Sequence, residues 1–236
     1  MNAVPIIKPL GDTALTIHFG NRINNEISDT VFSLFQTLKQ KEIPGIIDII
    51  PAYASLTIVY DITEIRKYSA SKTAFNHIEN IIQELLLSKH NDYLINNRIV
   101  EIPVCYHPSV GIDIEEISSF INRSIEELIY LHCNKIYRVY MIGFLPGFPY
   151  MGSIDEKLSM PRKKTPRANV SAGSVGIAGL QTGIYSLHSP GGWNIIGKTP
   201  VKLFQSNRQN PCLLQAGDHV QFIPISMTEF NRLKHS

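Results

Sequence analysis

The chain has 236 residues, 44% hydrophobic and 18% charged, with a formal net charge of +2. That length exceeds the needs of one small core, so two domains are expected, and the composition excludes a disordered chain. No apolar run approaches a membrane span and Met1–Leu15 lacks the basic-then-apolar pattern of a secretory signal, so a cytoplasmic protein with no membrane partner is expected. Cys105, Cys133 and Cys212 form no CxxC pair and no metal-ligand spacing, which reads as three buried thiols and no metal. The charge is uneven: residues 1–156 hold 12 Lys+Arg against 18 Asp+Glu, and residues 157–236 hold 10 against 2. The second part therefore suits anions or an acidic partner face. Its basic residues are not packed into a dense run, so nucleic acid is not expected.

Ala14–Phe19 alternates like a strand, and Gly20-Asn21 marks a turn. Ile23–Lys41 has helical spacing through Ile27, Val31, Leu34, Phe35 and Leu38, and Pro44-Gly45 ends it. Ile46–Ile50 and Ser55–Tyr60 read as strands separated by Pro51. Ser71 is expected to cap a second helix, with Phe75, Ile78, Ile81, Ile82, Leu85 and Leu86 on its apolar face. The polar segment Lys89–Arg98 reads as a linker. Beyond it, Ile99–Cys105 and Ile136–Ile142 read as strands. Asp113–Phe120 and Ser124–His132 read as short helices capped by Asp and Ser.

From Gly143 the texture changes. Ten of the fifteen glycines fall between Gly143 and Gly197, with turn signals recurring between short strands, a pattern that argues for a closed or nearly closed β-barrel. Asp218–Ile223 reads as a last strand and Ser226–Leu233 as a terminal helix with a capping box.

Gly192–Thr199 matches the G-x-x-x-x-G-K-T spacing of a phosphate loop. Such a loop follows a buried strand and opens a helix. Here a Pro-Gly-Gly turn precedes the match, Pro200 and a strand-like run Val201–Phe204 follow it, and the bulky Trp-Asn-Ile-Ile inside reads as a strand. Gly173, Gly176 and Gly179 do not make a dinucleotide fingerprint. They suit a strand that turns or packs closely. Ser174, between two of them, could present a hydroxyl to an oxyanion, but no G-x-S-x-G elbow exists to activate a nucleophile.

Arg162 and Arg167 each follow a proline, which suits bidentate capture of carboxylate or phosphate; a solvated basic loop is the alternative. Lys163 and Lys164 read as solvated or partner-facing. Phe144, Phe148, Tyr150 and Trp193 would line a pocket with an apolar floor and a cationic rim, or plug a core. His132 is either a structural residue closing a helix or a general base, and His188 is similarly open. No His/Cys cluster supports a metal.

The segments G-F-L-P-G-F-P-Y-M-G (143–152), P-R-K-K-T-P-R (161–167), A-G-S-V-G-I-A-G-L-Q-T-G-I-Y (172–185) and S-P-G-G-W-N-I-I-G-K-T-P (189–200) together resemble one family. G-D-T-A-L (11–15), P-A-Y-A-S-L (51–56) and I-P-V-C-Y (102–106) support the resemblance, which covers nearly the whole chain. The family is called allophanate hydrolase subunit 1 and is related to a carboxyltransferase subdomain of urea carboxylase. It contains the B subunit of bacterial ATP-dependent 5-oxoprolinase and the inhibitor of a sporulation histidine kinase.

The resemblance implies an α+β N-terminal domain, residues 1–94, and a cyclophilin-like, mainly β-barrel domain, residues 95–236. It implies a homologous C subunit and a separate A subunit as partners, ATP as a cofactor of the complex, and opening of 5-oxo-L-proline to L-glutamate. A stable lactam needs its carbonyl oxygen activated, for example by phosphorylation, before water attacks. Alternative roles within the family are inhibition of a histidine kinase and a urea carboxylase or allophanate hydrolase type of subunit. The fold alone carries no activity, so prolyl isomerase activity is not expected. On this reading Arg162, Arg167 and Lys198 hold an anionic intermediate, Gln181, Thr182, Ser174 and Ser189 add hydrogen bonds, and His132 is the candidate base. Three positions depart from the usual pattern: Ser171 and Ser186 replace prolines, and Lys198 replaces an arginine, keeping charge but losing the planar fork.

Overall fold

The structure is a computed structural model describing residues 5–87 and 98–234. Contacts divide the chain into two compact units, one within Met1–Ile95 and one within Asn96–Ser236. Of the expected linker Lys89–Arg98, only Arg98 lies within the described residues.

The first unit runs β1 (Ile6–Pro9), β2 (Ala14–His18), α1 (Asn25–Lys41), β3 (Ile46–Pro51), β4 (Ser55–Tyr60), α2 (Ile62–Tyr68) and α3 (Ala74–Leu87). Its strands form an antiparallel sheet in the order β1-β2-β4-β3. Alternation puts Leu15, Ile17, Leu56, Ile58 and Tyr60 in the core with Val31, Leu34 and Leu38 of α1. Asn24 caps α1 by accepting from the amides of Glu26 and Ile27. β1 and α2 have no sequence counterpart above: each buries too few side chains to show a period. The second long helix starts later than expected. Thr73, not Ser71, accepts from the Asn76 amide at 3.0 Å, while the Ser71 amide is turned back onto Ser69 Oγ at 3.1 Å.

The second unit runs β5 (Ile99–Cys105), α4 (Ile114–Phe120), α5 (Ile125–Cys133), β6 (Ile136–Ile142), β7 (Pro149–Gly152), β8 (Arg167–Val170), β9 (Ser174–Ala178), β10 (Gln181–Ile184), β11 (Ser189–Gly191), β12 (Asn194–Lys198), β13 (His219–Ile225) and α6 (Met227–Lys234). Seven strands close a barrel in the order β10-β7-β6-β13-β5-β12-β9, and β8 and β11 pair as a separate ribbon. β13 and β5 are parallel, from His219 opposite Ile99 to Ile225 opposite Cys105; the other barrel pairs are antiparallel. Val104, Tyr137, Val139, Met151, Val175, Ile177, Ile196 and Phe222 fill the barrel core. A smaller apolar cluster joins Ala178 of β9 and Ile195 of β12 to Val170 of β8, with Phe148, Tyr185 and Trp193. The fold is thus mixed α and β and contains a closed barrel.

The phosphate-loop spacing falls on barrel strand β12, whose Asn194–Lys198 pair with β9 and β5. Gly197 is required there by space: a Cβ would lie 2.8 Å from Val104 Cγ1 and 2.9 Å from the Cys105 carbonyl oxygen. Val201–Phe204 is not a strand. The Val201 amide closes onto Thr199 Oγ1 at 3.2 Å, and only Phe204 bridges an opposite residue, Cys212. Of the three thiols expected to be buried, Cys105 is, whereas Cys133 and Cys212 are partly exposed.

Candidate functional site

The residues singled out from the sequence separate into four places. His132 and Thr182 lie inside the barrel, each 0% exposed. Tyr106 Oη is 2.7 Å from His132 Nδ1, Thr182 Oγ1 is 2.9 Å from Nε2, and Thr182 donates onward to the Gly176 carbonyl at 3.2 Å. These bonds agree with a neutral ring protonated at Nε2. The imidazole stacks on Phe222 at 4.5 Å, and burial pushes its pKa down to about 3. Both ring nitrogens are occupied by protein groups and none of the ring meets solvent. His132 is therefore a core histidine and not a general base, and Thr182 is its partner rather than a ligand donor.

Arg167 is also committed elsewhere. Its Nη1 donates to Asp113 Oδ2 at 2.9 Å while Nη2 reaches Asp113 Oδ1, a bidentate fork. Lys163 Nζ reaches Asp113 Oδ1 at 2.9 Å and Glu116 Oε2 at 2.8 Å, so Lys163 is neither solvated nor partner-facing. The Ile195 amide donates to the same carboxylate at 2.7 Å. Burial pushes the Asp113 carboxyl up, but the bonds from Arg167, Ile195 and Lys163 outweigh it and the net direction is down. Asp113 makes no side-chain capping bond to α4. It is a buried anchor tying the start of that helix to β12 and to the 163–167 loop.

The aromatic residues form a plug more than a pocket. Phe148 and Trp193 are buried, with rings edge-on at 5.5 Å, and Tyr150 and Tyr185 pack on Phe148 at 4.8 and 5.3 Å. Phe144 is 60% exposed with φ 65, a strained left-handed conformation for a bulky residue, and leans edge-on against Phe148. Arg162 is exposed and lies over the Trp193 ring at 5.8 Å, a cation–π contact. Gln181 opens β10 opposite Gly152 and Ala178. Ser189 is buried and donates to the Pro190 carbonyl at 3.0 Å.

Ser174 and Lys198 do come together, in a cleft of about 220 Å³ also lined by Ser109, Asn169, Ser171 and His188. The local sequence builds it. Gly173 has φ 83, and the Ser174 amide bonds back to the Ser171 carbonyl at 3.2 Å, a turn whose third residue must be glycine. A Cβ on Gly173 would also lie 2.4 Å from the Thr199 carbonyl oxygen. The turn sets Ser171 Oγ 3.2 Å from Ser174 Oγ, and Lys198 Nζ, at the end of β12, donates to Ser171 Oγ at 2.7 Å. Partial burial lowers the Lys198 pKa, and nearby Lys234 adds to the effect. An ammonium beside two hydroxyls, with no carboxylate partner among the described residues, is a receptor for a carboxylate, a phosphate or a polarised carbonyl oxygen. Arg162 and Arg167 do not line this cleft.

Residues 5–214 match the carboxyltransferase domain, subdomains C and D. The chain belongs to that family. It is 44% identical over 230 residues to the B subunit of 5-oxoprolinase from Bacillus subtilis, covering 97% of this chain and 96% of that one. Against the B subunit of 5-oxoprolinase from Escherichia coli O157:H7 the identity is 34%, over 91% and 94% of the two chains. Among solved structures, that of TTHA0988 superposes with a TM-score of 0.78 at 33% identity, covering 94% of this chain but only 40% of that longer one. Urea amidolyase of K. lactis shares the fold, with a TM-score of 0.75 at 18% identity over 97% of this chain and 15% of that one. Family membership agrees with the location of the cleft, which falls within the matched residues. Sequence reasoning had not assigned Ser109, Asn169 or Ser171 to a site. The 171–174 turn was signalled by Gly173, but the convergence of Ser171 and Lys198 needed the β9–β12 pairing.

Proposed function

We propose that this chain is the B subunit of an ATP-dependent 5-oxoprolinase, acting with a homologous C subunit and a separate A subunit in the cytoplasm. The observation that carries the reading is the end-to-end match to the Bacillus subtilis protein, 44% over 97% of this chain. The barrel is then of the cyclophilin-like kind, and ATP is bound by the assembled complex. The substrate carries a carboxylate and a lactam carbonyl, and the Lys198 cleft offers groups for one of them. Lys198 ammonium supplies charge and Ser171 and Ser174 supply oriented hydroxyls, while Asp113 and its two basic partners hold β12 and the 163–167 loop in register. A ligand anion also offsets the partial burial and the nearby Lys234 that lower the Lys198 pKa.

The test is reconstitution of this chain with A and C partners already active beside another B subunit. ATP-dependent release of glutamate from 5-oxoproline is expected. A folded, assembled complex with no glutamate release contradicts the reading.

A further inference from the structure

A second cleft in the same unit is used by nothing above. It also encloses about 220 Å³, and its lining includes Arg98, Lys202, Gln205, Arg208, Asn210 and Gln215. Among the described residues no carboxylate lines it. Three cationic side chains therefore converge on a space large enough for a few heavy atoms and too small for a folded protein segment or a nucleic-acid duplex.

The cleft is preorganised. The loop carrying Lys202 and Arg208 is closed by the Leu213 amide on the Leu203 carbonyl at 2.9 Å and the Gln205 amide on the Pro211 carbonyl at 2.8 Å. A bridge between Phe204 and Cys212 lies between these bonds. The Arg208 amide turns back to the Gln205 carbonyl at 3.2 Å. Opposite this loop, Arg98 Nη2 donates to the Leu213 carbonyl at 3.3 Å, and Nη1 lies 3.6 Å from Asp218 Oδ2, whose side chain is 1% exposed. Asp218 is held in turn by the Gln215 amide at 2.9 Å. The buried carboxylate anchors Arg98 from behind and offsets one of the three positive charges. Among the described residues neither Lys202 nor Arg208 has a carboxylate partner.

We propose that this cleft binds a small soluble molecule through a diphosphate group. The Arg208 guanidinium fork suits paired phosphate oxygens, Lys202 supplies a mobile point charge, Arg98 adds positive charge from the wall where Asp218 holds it, and the side-chain carboxamides of Gln205, Asn210 and Gln215 can complete the hydrogen bonds. The excess of positive charge over Asp218 calls for a ligand with more than one negative charge. A single carboxylate would leave at least one cation unpaired. The proposal stands independently of whether 5-oxoproline is the substrate of the Lys198 cleft.

Calorimetric titration of the whole chain with inorganic pyrophosphate tests it. Binding is expected, weakening as salt rises and at least tenfold tighter than for orthophosphate. Lys202→Glu with Arg208→Glu should weaken it at least a hundredfold; both residues are exposed, so the melting temperature should stay unchanged. ATP titration separates the sources: ATP binding weakened by the same pair assigns the diphosphate to a nucleotide, and pyrophosphate binding alone assigns it to a smaller phosphorylated molecule. Absence of binding by folded protein, equal affinity for orthophosphate, or binding indifferent to the double substitution overturns the proposal.

Discussion

The inside of the barrel and the Lys198 cleft on its outside use similar side chains to opposite ends. Within, a basic ring and hydroxyls form a directed chain from Tyr106 through His132 and Thr182 to the Gly176 carbonyl, in which each ring nitrogen has its partner. Outside, Lys198 has three donors and, among the described residues, one hydrogen-bond acceptor, Ser171. The interior network is saturated and dry, so it stabilises and does no chemistry on an outside molecule. The cleft is unsaturated and open, so a ligand completes it. Residue type therefore does not distinguish a site from a core; unused bonding capacity facing solvent does.

Substitutions can break that contrast from either side. His132→Ala should have the largest effect, lowering stability by about 3 kcal/mol, because it leaves a cavity and strips Tyr106 and Thr182 of a buried partner. Denaturant unfolding measures it, and the remaining folded protein should keep its ligand affinity. Asp113→Asn should cost about 2 kcal/mol by weakening a buried carboxylate held by two cations and an amide. In the wild type the Asp113 carboxyl sits below its unfolded value of about 3.9, so its contribution is complete above that pH and is lost as pH falls through the lower folded value.

The histidine acts in a different window. Folded His132 stays neutral down to about pH 3, whereas the unfolded chain takes up that proton near its ordinary value of 6.5. The unfolded state thus binds more protons between those limits. Stability is full above pH 6.5 and falls toward pH 3 with a slope approaching about 1.4 kcal/mol per pH unit. Unfolding titrations of wild type and His132→Gln at several pH values should differ by that slope. The smallest effect on stability is expected at Lys198→Ala, within about 0.5 kcal/mol, since the side chain is only partly buried and has one modest bond.

Strands β5 and β6 were legible to the residue, because each is a mostly apolar run rich in β-branched or aromatic residues, entered from a basic residue, Arg98 or Lys135. The Gly-rich texture announced the barrel for the same local reason. Asp113 shows where local reading stops. Standing before a helix it looked like a cap, yet its partner Arg167 lies 54 residues further along the chain. Asp113 does hold the N-cap position, but that pairing takes its carboxylate away from the helix and takes one expected arginine away from anion binding. His132 and Thr182 were both picked as functional, but only the closed barrel shows that they bond to each other across 50 residues of sequence. Ser171 was noticed solely as a missing proline, and its hydroxyl became meaningful once β9 and β12 were seen side by side.

The contrast between core and cleft is tested most directly by steady-state kinetics of 5-oxoproline opening in the assembled complex, comparing Lys198→Ala with wild type and His132→Gln. Lys198→Ala should lower kcat/KM by about tenfold to a hundredfold, the loss of one charge-assisted bond, at unchanged melting temperature. His132→Gln should lower the melting temperature and leave kcat/KM of the folded complex near wild type. The reverse pattern, full activity in Lys198→Ala and lost activity in stably folded His132→Gln, would place the chemistry inside the barrel and contradict the assignment of the outer cleft.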